Sequence, residues 1–200
     1  KEIFLGFDLG TTNLVLVALN EEGRPVSAVM ESSRSSVRDG VIVDYMASVE
    51  GMRRCLDRLE RRLGRAGLSA LGAAAFPPGV STKTAKVCAN VVEALGFDCA
   101  GLYEEPTAAA AALGLEDAAI VDIGGGTTGI TILQGGRPVY TADEPTGGTH
   151  MTLVLAGNMD VSFEAAEAVK RTPVRQRELL PVLRPVLEKM GSIVRRHLEA

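Results

Sequence analysis

One segment of this 200-residue chain occurs twice, and that repetition constrains the fold more than any other feature. From Ile3 the chain reads IFLGFDLGTTNLVLVALNEEGRPVSA, and from Ala119 it reads AIVDIGGGTTGITILQGGRPVYTA. Aligning Asp8 with Asp122 sets Leu9-Gly10 on Ile123-Gly124 and Thr11-Thr12 on Thr127-Thr128. On this alignment the second copy carries two extra residues, Gly125 and Gly126. Leu14 to Val17 then match Ile130 to Leu133, and Gly23-Arg24-Pro25-Val26 matches Gly136-Arg137-Pro138-Val139. Each copy reads as apolar strand, glycine-threonine turn, apolar strand, Gly-Arg-Pro turn and third strand. Ile3–Phe7 and Ala119–Ile123 are nearly all apolar, as expected of strands covered on both faces. The expected architecture is a three-stranded meander with helices, built twice, with a cleft where the two turns face each other.

Helical periodicity fills the space between and after the copies. Ser48–Arg65 places Val49, Met52, Leu56, Leu59 and Leu63 on one stripe. Its six arginines alternate with Asp57 and Glu60, the pattern of a solvated face rather than a binding patch. Thr82–Leu95 and the alanine-rich Thr107–Leu113 are further helices, the latter tightly packed, and Ala73–Phe76 is a short strand. Gly147–Ala156, Ser162–Arg171 and Val174–Leu198 follow. Pro181 and Pro185 require the last of these to begin near one of them or to kink. The joins at Gly157–Asp160 and near Thr172–Pro173 look abrupt, an expectation that residues are missing from the numbering there.

Composition removes several function classes. The apolar share is 46% and the charged share 23%, an ordinary folded balance. Formal charge is −4, which exerts no global pull toward nucleic acid or an anionic membrane. No apolar run reaches the roughly 18–20 residues of a membrane span. Cys55, Cys88 and Cys99 form no CxxC pair and read as core filler in a reducing cytoplasm. Only His150 and His197 are present, far apart in the chain, which argues against a Ser-His-Asp hydrolase or a histidine-rich zinc site. Chemistry here must run on carboxylates, backbone amides and perhaps one lysine.

A glycine-threonine turn between strands clusters backbone N–H groups into an anion-binding nest, and two facing turns clamp a polyphosphate. Asp8 and Asp122, each at a strand end beside its turn, suit the waters of a bound Mg²⁺. The paired pattern therefore points to nucleotide binding.

FDLGTTN at Phe7–Asn13, YEEPTAAAAA at Tyr103–Ala112 and VDIGGGTTGI at Val121–Ile130 resemble the phosphate-1, connect-1 and phosphate-2 motifs of the actin-like ATPase superfamily. The resemblance runs over residues 1–171. It implies an α/β, ribonuclease H-like fold of two related lobes, residues 1–115 and 116–200, each a mixed sheet flanked by helices. It implies ATP or ADP with Mg²⁺ as ligands. Gly10, Thr11, Thr12 and Asn13 would hold phosphates from one side, and Gly124, Gly125, Gly126 and Thr127 from the other. Asp8 and Asp122 would organise the magnesium through water, and Glu105 would orient or deprotonate the attacking water, with Glu104 its exposed neighbour. Gly147-Gly148-Thr149 matches a Gly-Gly turn near the γ-phosphate, and Glu167 and Lys170 match a pair that contacts ribose and base. An ordinary i, i+3 ion pair is the plainer reading of those two. The superfamily's last motif, a Gly-Gly loop against adenine, does not occur before Ala200.

RDGVIVDY at Arg38–Tyr45, PPGVSTKTAKVCANVVEALGF at Pro77–Phe97 and PTGGTHMTLVLAG at Pro145–Gly157 narrow the resemblance to the EutJ family of ethanolamine utilisation. It implies a chaperone-like or reactivating ATPase acting on a protein client of that pathway, cytoplasmic and associated with a bacterial microcompartment, with homo-oligomers open. Two other readings stand beside it. One is an FtsA- or PilM-like ATP-binding scaffold or filament-forming adaptor without significant turnover; the other is a small-molecule kinase.

Overall fold

The computed structural model describes residues 2–33, 37–38, 41–42, 44–68 and 70–199. Of the Arg38–Tyr45 segment, Asp39, Gly40 and Val43 lie outside these residues. The first copy supplies β1 (Phe4–Leu9), β2 (Asn13–Leu19) and β3 (Pro25–Ser32), followed by the two-residue strands β4 (Val37–Arg38) and β5 (Val41–Ile42). Then come α1 (Tyr45–Leu63), β6 (Leu71–Phe76), α2 (Thr82–Ala94), β7 (Asp98–Glu104) and α3 (Glu105–Leu113). The second copy supplies β8 (Ala118–Ile123), β9 (Thr128–Gln134) and β10 (Arg137–Glu144), then α4 (Gly148–Met159), α5 (Phe163–Lys170) and α6 (Gln176–Leu198). The larger sheet has the order β3-β2-β1-β6-β7, antiparallel within the meander and parallel from β1 through β6 to β7. The smaller is the antiparallel meander β10-β9-β8. Strand β7 carries no signal in the periodicity reading; it is half-exposed along its length and does not read as an apolar run.

Strand register revises the alignment of the repeat. Leu9 pairs with Leu14, and Ile123 pairs with Thr128. Both turns therefore contain four residues, Gly10–Asn13 and Gly124–Thr127, and no insertion separates them. Gly125 and Gly126 stand opposite Thr11 and Thr12 in the repeat. The one-residue difference falls instead in the second turn, where Pro25 meets Leu19 and Pro138 meets Leu133. Gly23 and Gly136 both take φ of +72°, a left-handed conformation that suits glycine.

The main core forms where alternate residues of β1 and β2 (Leu5, Phe7, Leu9, Leu14, Leu16, Ala18) meet α1 and α2 through Met52, Leu59, Val91 and Val92. Phe7 and Phe97 stack tilted, 6.1 Å between centroids. Cys55 and Cys88 are buried in it and Cys99 is half-buried, all three as free thiols. Helix α1 starts three residues earlier than its apolar stripe, because the Asp44 side chain accepts from Ala47 N–H at 2.9 Å.

The arginines of α1 are not all solvated. Arg54 pairs with Glu31 at 2.5 Å, Arg58 donates to the Met30 carbonyl at 3.2 Å and Arg62 to that of Ala28. Spaced four apart, they run along β3, an edge strand of the larger sheet, and occupy groups that another strand would pair with.

Helix α3 is less enclosed than its alanines suggest, with only Pro106 and Ala110 buried. It packs on β8 and β9 as well as on β6 and β7, and so joins the two sheets. Gly129 of β9 lies so near that a Cβ there would stand 3.0 Å from Pro106 and 3.1 Å from Pro78. Helix α6 runs unbroken through Pro181 and Pro185. Both prolines are exposed, so the carbonyls of Arg177 and Pro181 that lose a donor can bind water. The two suspected gaps are closed: Asp160 ends α4 in a left-handed cap, Ser162 caps α5 through Ala165 N–H, and a 3-10 turn at Pro173–Arg175 leads into α6. Among the described residues no helix is long and apolar enough to cross a membrane.

Leu16→Ala should lower unfolding free energy by about 2–5 kcal/mol in urea titration, since Leu16 is fully buried at the sheet centre. Replacing Arg58 and Arg62 together by alanine should keep the far-ultraviolet spectrum but produce concentration-dependent association in light scattering, as the β3 edge is uncovered.

Candidate functional site

The two glycine turns face each other across one cleft, whose walls are Asp8, Gly10, Thr11, Thr12, Asn13, Glu105, Asp122, Gly124, Gly125, Gly126 and Thr127, with Val15 and Pro77. The approach is close. A Cβ on Gly125 would overlap Thr12 Oγ1, and one on Gly126 would stand 2.7 Å from Thr11 Cγ2. Glycine at these positions is thus required by the opposite turn.

Hydrogen bonds aim both turns. The Thr12 carbonyl accepts from Ser33 N–H at 3.0 Å, and the Thr11 carbonyl accepts from Ser33 Oγ. The Gly124 carbonyl accepts from Gly148 N–H at 2.9 Å, and the Gly125 carbonyl from Thr149 N–H at 2.8 Å. No peptide here is cis, so each N–H points opposite to the carbonyl of its own peptide unit. The amides of Thr12 and Asn13 are therefore turned away from Ser33, and those of Gly125 and Gly126 away from α4. Carbonyls tied at the back leave donors for the cleft, the geometry of an anion nest.

Beneath the turns sit carboxylates. Asp8 and Asp122 occupy the same position in the repeat, one residue before the end of β1 and of β8. Glu105 opens α3 directly after β7. Burial, then repulsion from Asp122, pushes the Asp8 carboxyl up to about 6. Burial, then the charges of Asp8, Asp122 and Asp143, pushes Glu105 up to about 8. Burial raises Asp122 as well. Asp8 Oδ1 is buried without a hydrogen-bond partner among the described residues. An orphaned buried oxygen within mutually repelling acids suits a cation. Among the described residues no three His, Cys, Asp or Glu side chains form a direct ligand cluster, so such a cation would be held through water and ligand oxygens. Glu104 does not line the cleft; it accepts from Gly79 N–H at 3.3 Å. Asp143 of β10, which acts on Glu105 by charge, has no counterpart in the motifs and was not legible in advance.

Gly147, Gly148, Thr149, Glu167 and Lys170 stand behind the second turn rather than in the cleft wall. The amides of Gly148 and Thr149 donate to the carbonyls of Gly124 and Gly125. Lys170 Nζ donates to Gly148 O at 2.9 Å and Thr152 Oγ1 at 2.7 Å, and pairs with Glu167 at 2.6 Å. Glu167 also accepts from Thr152 at 2.5 Å. The pair is thus an i, i+3 ion pair, but one fastened to the start of α4. His150 reaches back to accept from Gly147 N–H at 3.2 Å.

Known proteins resemble this chain in sequence and fold. The cell division protein FtsA family matches residues 119–189. The ethanolamine utilization protein EutJ of Escherichia coli K12 is 43% identical over 197 residues, covering 98% of this chain and 68% of that protein. The chain belongs to the EutJ family. The crystal structure of EutJ from Carboxydothermus hydrogenoformans superposes with a TM-score of 0.91 at 43% identity, covering 100% of this chain and 72% of the other. MreB 5 of Spiroplasma citri bound to AMPPNP has the same actin-like fold, with a TM-score of 0.76 at 20% identity, over 100% of this chain and 79% of that one. EutJ membership and the actin-like ATPase fold together agree with the family resemblance carried by the three motifs.

The acid cluster sets a pH dependence. A carboxyl that binds its proton more tightly when folded stabilises the fold below its ordinary pKa of 4.5 and loses that contribution as pH rises through about 8. In ligand-free protein, Glu105→Gln should therefore raise the melting temperature at pH 8.5, by about 2–4 °C for each kcal/mol relieved. At pH 5 calorimetry should find the two proteins alike.

Proposed function

We propose that the cleft binds Mg·ATP and ADP, hydrolyses ATP slowly, and couples nucleotide state to the relative position of two lobes, residues 1–115 and 116–200. The reading makes this chain a chaperone-like or reactivating ATPase for a protein client of ethanolamine utilisation, cytoplasmic and associated with its microcompartment. The observation that carries it is the back-tethering of both turns. Four carbonyls are held from behind, so amides of turns from two separate sheets are turned toward one cleft. A nucleotide analogue in MreB 5, a neighbour of the same fold, supports the same ligand class here. EutJ membership supports the pathway over the adaptor reading.

In this reading Gly10–Asn13 and Gly124–Thr127 donate amides and hydroxyls to the phosphates. Asp8 and Asp122 hold the waters of magnesium. When bound, the metal supplies positive charge that offsets the phosphates. Glu105 orients the attacking water and accepts its proton; positive charge in the cleft lowers its proton affinity and restores the carboxylate. Most of the acceleration comes from positioning and charge stabilisation by the turns. Different nucleotide states shift the lobes only as far as their affinities for the two arrangements differ.

Glu105→Ala should retain ATP binding and reduce turnover at least about tenfold in a steady-state assay, a floor beneath the roughly 10²–10⁴-fold of general-base assistance. Glu104→Ala should match the parent. Gly125→Val should abolish binding in calorimetry, because the new side chain must displace Thr12 on the opposite turn.

A further inference from the structure

We infer that Ser33 is the positioning residue of the first glycine turn: its hydroxyl holds the Thr11–Thr12 peptide with the amide toward the cleft. The inference rests on the nucleotide reading for its functional meaning, and on this chain's own hydrogen bonds for its geometry.

The strand ladder brings Ser33 to the turn. Pairing of β2 with β3 ends with Asn13 opposite Ser32, so Ser33 comes next, beside Thr12. Its amide carries the ladder one step further, donating to the Thr12 carbonyl at 3.0 Å. Its hydroxyl adds a bond the ladder does not contain, to the carbonyl of Thr11. In an extended strand successive carbonyls point to opposite sides, so a ladder neighbour meets every second one. Here two successive carbonyls meet one residue. Each trans peptide sets its N–H against its C=O, so the Thr12 and Asn13 amides turn together to the other side. Successive amides on one side make an anion nest.

Of the four hydrogen bonds that hold the two turns from behind, only the one from the Ser33 hydroxyl depends on a side chain. In the second turn Gly148 and Thr149 donate backbone amides to Gly124 and Gly125, at 2.9 and 2.8 Å. Any residue but proline supplies those, whereas the Thr11 carbonyl needs a side-chain donor at residue 33. Ser33 is 4% exposed, so water has little access to replace its hydroxyl. The peptide it holds lies where the turns come nearest. A Cβ on Gly125 would overlap Thr12 Oγ1, and one on Gly126 would stand 2.7 Å from Thr11 Cγ2. Turned over, the Thr11–Thr12 peptide would present a carbonyl oxygen to the cleft, which repels an anion.

The test uses the full chain with Ser33→Ala, Ser33→Thr and the parent. Backbone amide relaxation by NMR is read first, without ligand. The inference expects the Thr12 order parameter to fall from about 0.85 to below about 0.6 in Ser33→Ala. Asn13, whose peptide the Ser33 amide still holds, should stay as in the parent, and so should Gly125 and Gly126. Ser33→Thr, which keeps a hydroxyl, should restore Thr12. Inorganic pyrophosphate and ADP are then titrated by calorimetry. Ser33→Ala should weaken both about five- to tenfold, the scale of one hydrogen bond, and Ser33→Thr should bind like the parent. An unchanged Thr12 amide in Ser33→Ala would overturn the inference. So would equal loosening of Thr12, Asn13, Gly125 and Gly126, which marks a merely structural serine. Parent-like pyrophosphate binding beside a loosened Thr12 would overturn its part in the site. If the parent binds neither probe, the nucleotide reading falls while the relaxation data still decide what Ser33 holds. Should Ser33→Ala not fold, Ser33→Cys, similar in shape but a weak donor, takes the same measurements with the same direction of change.

Discussion

Everything at the cleft depends on how four peptide units are held from behind. A flexible glycine turn has no reason to present its amides to one side. Ser33 fixes the first turn by its amide and hydroxyl, and the opening residues of α4 fix the second by two amides. The two restraints come from opposite ends of their repeat units: the residue after β3 in one case, a helix start in the other. Duplication supplied the turns, while their aiming was solved separately in each copy. Thr11 and Thr12 of one turn fill the space that Gly125 and Gly126 of the other, lacking side chains, leave open.

The same closeness sets the electrostatics. Bringing two repeat strands to one cleft also brings Asp8 against Asp122, and α3 adds Glu105 to them. Burial and the neighbouring charges then raise the proton affinity of Asp8 and Glu105, and burial raises that of Asp122. Such a cluster is costly when charged and alone, and it is relieved by positive charge beside it. Stability is therefore given up at the cleft, an arrangement more typical of a binding site than of a structural core.

The two sheets are unequal. The larger is closed by α1 and α2 around a single apolar core, and its β3 edge is covered by arginines. The smaller carries three strands, and its helices α4, α5 and α6 form a separate small core around Leu155, Ala166 and Leu179. Helix α3, starting at Glu105 and lying against strands of both sheets, is the mechanical link between them. The residue that resemblance assigns to the attacking water is thus also the first residue of the joining element.

By itself the sequence determined the duplicated meander, the glycine turns, the placing of Asp8, Asp122 and Glu105, and the family. These are written in short-range pattern: strands alternate, turns need glycine, and motif residues lie next to one another in the chain. It did not determine the pairing register. A periodic apolar strand fits its neighbour at several offsets, so the apparent two-residue insertion at Gly125-Gly126 dissolved only when Ile123 was found opposite Thr128. Nor could it place the arginines of α1 along β3, Asp143 near Glu105, or Lys170 behind the second glycine turn. Each of those is a contact between residues far apart in the chain, decided by how helices settle on sheets.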